Sequence, residues 1–152
     1  MEYNLPSELV KELNFGENAK NRIMTGVEKL ASAVKSTLGA SGKCVIYEDS
    51  RGKPVITKDG VTVAQSVVLL DPVENIGATL IKEAASKTVK EAGDGTTTAT
   101  VLAESLLQEV YKTLQTNNVR DVKQGIDTAV ANIIKYLDSI KIEVDNDMLD
   151  HV

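Results

Sequence analysis

Between Glu17 and Leu38 the apolar residues Ile23, Val27, Leu30, Ala31, Val34 and Leu38 recur every three or four positions. That spacing is one face of a helix, and Gly39 is placed to end it at the C′ position. The period then changes. Cys44-Val45-Ile46-Tyr47 is a β-branched and aromatic run, Glu48 to Pro54 is rich in turn formers, and Val55-Ile56-Thr57 is a second short run. Together they predict a hairpin. Lys58-Asp59-Gly60 breaks it before a short helix over Val61–Leu70, and Asp71-Pro72 restarts the chain with a proline suited to a helix's first turn. Further helices are predicted over Val73–Ala92, ending at Gly93, and over Thr97–Leu114, with Leu102, Leu106 and Val110 on one face. After the break at Thr116-Asn117-Asn118, Asn118 is placed to N-cap a last helix carrying Val122, Ile126, Ala129, Val130, Ile133, Leu137 and Ile140. Met1–Asn14 reads as a lead-in, loose at first, and Leu13-Asn14-Phe15 has the pattern of a short strand. At the other end, Asn146-Asp147-Met148-Leu149 looks like a helix beginning that Val152 interrupts, as if the chain had been cut from something longer. The fold class expected is mainly α: antiparallel helices with a small β-hairpin, and no internal repeat or linker.

Composition narrows the function classes. At 152 residues, 42% hydrophobic and 26% charged, the chain can form one ordinary domain. Aromatics are only 3%, without tryptophan, so the core must be aliphatic. A net charge of −5 argues against a nucleic-acid groove or a basic membrane patch, while a magnesium-bound nucleotide stays compatible because such binding is local. The single cysteine, Cys44, excludes an intrachain disulfide and a multi-Cys zinc site. It fits a reducing compartment, and its apolar run suggests a buried small hydrophobe. With His151 as the single histidine, a His-based triad or multi-His metal site within one chain is excluded. The first residues lack the basic and apolar regions of a signal peptide, and no apolar run is long enough to span a bilayer. A cytoplasmic location is therefore expected.

Three segments carry candidate phosphate chemistry. Thr37-Leu38-Gly39-Ala40-Ser41-Gly42 runs from a helix end into a glycine turn, and Thr57-Lys58-Asp59-Gly60 lies between a strand and a helix. Gly93-Asp94-Gly95-Thr96-Thr97-Thr98 opens a helix, whose unpaired N–H groups and positive dipole end suit phosphate oxygens. Asp94 is a hard oxygen ligand placed for magnesium on those phosphates. Read without function, the same residues are capped turns, with Gly93 as C′ and Asp94 or Thr96 as N-cap. No G-x-x-x-x-G-K-[ST] run occurs, so a P-loop is excluded.

From about Leu13 to Val152 the chain closely resembles the N-terminal part of group I chaperonins, the GroEL type. The resemblance rests on Ala92-Gly-Asp-Gly-Thr-Thr-Thr-Ala-Thr-Val-Leu-Ala103, on Ile56-Thr-Lys-Asp-Gly-Val61 and on Gly125-Ile126-Asp127. It implies that residues 1–152 are the N-terminal half of an equatorial ATP-binding domain, with 1–12 as a flexible lead-in that matches nothing in the family. Thr37, Leu38, Gly39 and Ala40 would line the phosphates, Lys58 would act near the phosphates and potassium, and Asp94 would hold magnesium. Gly95, Thr96, Thr97 and Thr98 would cradle phosphate oxygens, and Asp59 would order the attacking water as the catalytic residue. The cofactors implied are ATP or ADP, Mg2+ and K+. The intact protein would assist folding of non-native clients in seven-membered rings, stacked in pairs, with a GroES-type co-chaperonin. It would be several times longer, adding apical and intermediate domains and the second equatorial half. The family's first loop usually reads Thr-Leu-Gly-Pro-Lys-Gly, whereas Ala40 and Ser41 stand here for Pro and Lys, and Val119 replaces a usual Pro. Two other readings stay open: a non-catalytic helical assembly module derived from this fold, and a small helical regulator with capped turns only.

Overall fold

The computed structural model of the chain describes residues 13–144. The lead-in up to Glu12, the helix start at Asn146–Leu149 and His151 lie outside the described residues. In chain order the elements are α1 (Gly16–Lys35), β1 (Val45–Glu48), β2 (Pro54–Thr57), α2 (Gly60–Ser66), α3 (Pro72–Ala92), α4 (Thr96–Thr113) and α5 (Val119–Ile140). They form two compact units, which divide between Gln108 and Glu109.

The first unit is built on α1 and α3. Val27, Leu30 and Val34 of α1 are buried against Ala78 and Ile81 of α3, with Val63 and Ala64 of α2 completing the core. The core is aliphatic, as the composition requires. The two long helices approach closely because each offers a glycine. A Cβ on Gly26 would collide with the Glu74 carbonyl, and one on Gly77 with the Ile23 carbonyl. The pairing of 26 with 74 and 23 with 77 makes the crossing antiparallel. Asp71 fixes the start of α3: its side chain accepts from Val73 N (2.9 Å) and Glu74 N (3.0 Å), with Pro72 at the first helical position. The guanidinium of Arg22 on α1 donates to the same carboxylate at 2.6 Å. The Glu74 amide and Arg22 together hold the Asp71 carboxyl below its ordinary range.

The hairpin pairs Val45 with Thr57, Ile46 with Ile56, Tyr47 with Val55 and Glu48 with Pro54. One face of the hairpin turns inward, with Val45 packed against the core, while Ile46 and Ile56 face solvent opposite each other on the other face. Cys44 falls just outside the paired register and is exposed, which corrects the expectation of a buried thiol. A two-stranded ribbon leaves residues of that side uncovered, so local apolar sequence does not produce burial there.

Other expectations shift as well. Leu13–Phe15 forms no strand among the described residues: Asn14 Oδ1 accepts from Arg22 Nη1 at 3.1 Å, and Phe15 is extended backbone at the start of α1. Helix α1 ends at Lys35 with Ser36 as its C-cap, so Gly39 is not the C′ residue. Its φ of +76° instead serves the turn that follows, where Gly42 N donates to Gly39 O and Lys43 N to Ser36 O. Helix α2 stops at Ser66, short of Leu70, because the next backbone groups are captured by α3: Lys82 Nζ donates to the Val67 carbonyl and Leu69 N to Asn75 Oδ1. The inward face of α4 is polar. Thr96, Thr100 and Glu104 are buried, whereas Leu102 and Leu106 are 63% and 47% exposed.

The second unit holds the end of α4 and the whole of α5. Asn118 caps α5 as expected, accepting from Asp121 N at 2.9 Å. None of the apolar residues of α5 is buried.

Candidate phosphate-binding site

Three loops of the first unit converge where α1 ends, α2 begins and α4 begins. Leu38, Asp59, Gly60, Val61 and the run Asp94–Thr98 line one cleft of about 260 Å3. That is smaller than the roughly 300–1,000 Å3 of pockets that enclose a drug-sized ligand.

Asp59 enters the cleft as the N-cap of α2. It accepts from Thr62 N (2.9 Å), Thr62 Oγ1 (2.5 Å) and Val61 N (3.3 Å). The Thr62 hydroxyl is the main cause that lowers its pKa, with the Thr62 and Val61 amides adding to it against the cost of partial burial. Its carboxylate is thus ionised and oriented, yet it keeps lone pairs for a further donor.

The other wall follows from two glycines. Gly93 closes α3 with φ +79°, and Gly95 turns the chain with φ +93°, conformations that favour glycine. Asp94, between them, accepts only from the neighbouring Gly95 N, at 2.6 Å, and stands exposed. Neither Asp94 nor Thr96 caps α4, which corrects the capped-turn expectation. Asp59, Asp71 and Asn118 cap α2, α3 and α5. Among the described residues no side chain accepts from the amides of Thr96, Thr97 and Thr98, which carry the positive end of an 18-residue helix. In addition, the hydroxyl of Thr96 is buried and has no hydrogen-bond partner among the described residues. Such an orphan is costly in a folded protein.

Of the residues singled out in the sequence, Leu38, Asp59, Asp94, Gly95, Thr96, Thr97 and Thr98 meet in the cleft. Thr37 lies behind it, donating its hydroxyl to Val34 O at 2.7 Å. Gly39, Ala40 and Lys58 are exposed and do not line it. Gly60, from the candidate segment Thr57–Gly60, lines the cleft as well, and Val61 next to it does so without having been given a role in the sequence. Among the described residues no three His, Cys, Asp or Glu side chains gather. A divalent ion here would take one or two carboxylates and complete its shell with phosphate oxygens and water, which is how magnesium is usually held. The donor set therefore fits that ion on a polyphosphate.

A family model described as the TCP-1/cpn60 chaperonin family matches residues 30–152. The chain belongs to that family. Among solved structures, the chaperonin gp146 from bacteriophage EL 2 (Pseudomonas aeruginosa), determined in the presence of ATP-BeFx, is similar to this chaperonin chain. The two are 32% identical, with a TM-score of 0.74 over 86% of this chain. The mostly helical architecture with one two-stranded sheet is that of a chaperonin equatorial domain. The chain spans 23% of the length of that phage chaperonin.

Proposed function

We propose that this chaperonin chain supplies the triphosphate- and magnesium-binding part of an ATPase site. The observation that carries the proposal is the uncapped start of α4 set between two carboxylates, Asp59 and Asp94, in one cleft. The free amides of Thr96–Thr98 bind phosphate oxygens, and the hydroxyls of Thr97 and Thr98 add donors. Asp94, with a single local hydrogen bond, is the ligand available to magnesium. Asp59, locked by Thr62, is the group that orients a water for attack on the γ-phosphate. When bound, magnesium supplies charge neutralisation on the phosphates. Lys58 and potassium act at the margin of this site, as the group I resemblance implies. In the intact protein, hydrolysis drives ring rearrangements that assist folding of non-native clients with a GroES-type co-chaperonin.

Titration of Mg2+-ATP into the chain by calorimetry tests the reading. Binding is expected to require magnesium, to be lost in Asp94→Ala, and to weaken less in Thr97→Val because the backbone amides remain. Steady turnover is not expected from residues 1–152, since half a site cannot pre-organise the transition state. A wild-type chain that ignores Mg2+-ATP, or an Asp94→Ala variant that binds it equally well, overturns the assignment. The second reading, an assembly module without chemistry, draws support from the exposed apolar face of α5. It is favoured if the chain self-associates yet shows no magnesium-dependent nucleotide binding.

A further inference from the structure

We infer that Gly60 is the positioning residue that joins the three walls of the cleft, by leaving room for the hydroxyl of Thr97. The inference rests on the phosphate-site reading above and adds to it the joint on which the site's geometry depends.

Gly60 is buried at the first position of α2, directly after the Asp59 cap. A Cβ built on it would overlap Thr97 Oγ1 of α4 and would also lie 3.4 Å from Val34 Cγ1 of α1 and 3.5 Å from Thr37 Oγ1. The last two are ordinary packing distances, so the conflict lies with Thr97 alone. The glycine is not explained by its backbone, because Gly60 is not among the positive-φ glycines. Nor is it explained by helix formation, since alanine is the better helix former. What the position demands is space.

The consequence runs through Thr97. Thr97 is β-branched, and a helical threonine is held to two χ1 rotamers, so its hydroxyl leaves the present position only by a full change of rotamer. An alanine at 60 forces either a χ1 rotation, which carries the hydroxyl elsewhere, or a separation of α4 from α2. Either response moves the Thr96–Thr98 amides or their hydroxyls relative to Asp59. Gly60 thereby sets the spacing between the phosphate-binding helix start and the water-orienting carboxylate. It touches neither reacting group and acts through Thr97.

A double-mutant cycle on the chain decides this, with Gly60→Ala, Thr97→Ala and the pair, measured by Mg2+-ATP calorimetry and by thermal unfolding. Truncating Thr97 removes both the obstacle and the hydroxyl. Gly60→Ala alone is expected to weaken Mg2+-ATP binding at least tenfold. Once Thr97 is alanine, the same change is expected to alter affinity by less than twofold. If the wild type binds and Gly60→Ala binds equally well, or if the loss persists unchanged in the Thr97→Ala background, the inference falls while the site reading stands. If the wild type does not bind Mg2+-ATP, the site reading falls and the unfolding arm judges the joint. A melting temperature lowered by Gly60→Ala, and restored relative to Thr97→Ala in the pair, supports it; a melting temperature that rises, or falls equally in both backgrounds, overturns it.

Discussion

Glu104 shows how much a single buried group can ask of its neighbours. It is 3% exposed on the inward face of α4, and its carboxylate meets the ammonium of Lys35 at the end of α1. Removing the cation leaves a buried charge without its partner, whereas removing both polarity and charge does not. Lys35→Ala is therefore expected to destabilise the chain by about 1–3 kcal/mol, and Glu104→Leu by less, as read by chemical denaturation. Asp71 makes a different demand. Its pKa is depressed in the folded chain by the Glu74 amide and Arg22. The stabilisation it confers is present above the carboxylate's unfolded value, near 4, and is lost as pH falls through the lower folded value. Melting temperatures between pH 5 and pH 2 should fall less steeply for Asp71→Asn than for the wild type. At this scale the sequence was most legible where a residue's role is local. Asn118 capped its helix and Gly93 closed one as read. Cys44 was misread because burial there depends on what the tertiary structure brings near it.

Among the elements, the crossing of α1 and α3 is the tightest. Gly26→Ala and Gly77→Ala each exchange a poor helix former for the best one, worth up to about 1 kcal/mol in the interior of a helix. Yet the added methyl meets backbone carbonyl oxygen rather than a movable side chain. Overpacking of this kind costs about 1–3 kcal/mol or more, so both variants should melt lower than the wild type. Helix α5 is the opposite case, with no buried residue along its 22 positions. Most of a helix's stability in a protein comes from packing its apolar face, not from intrinsic propensity, and α5 buries none of its residues. Amides of Val130 and Ile133 should therefore exchange with solvent faster than those of Leu30 and Ile81, and a reversed order would contradict the fold described. The periodic pattern revealed α1 and α5 because their apolar spacing is regular, while α3 was marked by Pro72 at its start and Gly93 at its end. In α4 the pattern grouped Leu102, Leu106 and Val110 on one face, and Leu102 and Leu106 of that group face solvent. Hydropathy cannot show that a helix turns threonines and a glutamate inward to meet a lysine. The length of α2 was hidden for a similar reason, since Asn75 and Lys82 of another helix end it.

At the scale of the whole first unit, the site is a meeting of segments distant in sequence: Leu38, Asp59 and Asp94–Thr98 share one cleft. Their chemistry was legible as motifs, but that they belong together was legible only by family resemblance, since nothing in local periodicity joins them. The uncapped first turn of α4 has one more consequence, for the choice of buffer. An anion that settles on the Thr96–Thr98 amides binds the folded chain and not the unfolded one, so it raises stability by mass action. At ten times its dissociation constant the gain is about 1.4 kcal/mol. Melting temperatures recorded in phosphate or sulfate should thus exceed those in chloride at equal ionic strength. Neutralising Asp94 should widen that gap, because the carboxylate repels the same anions when no magnesium is present. Stability values for this chain carry meaning only with the anion stated.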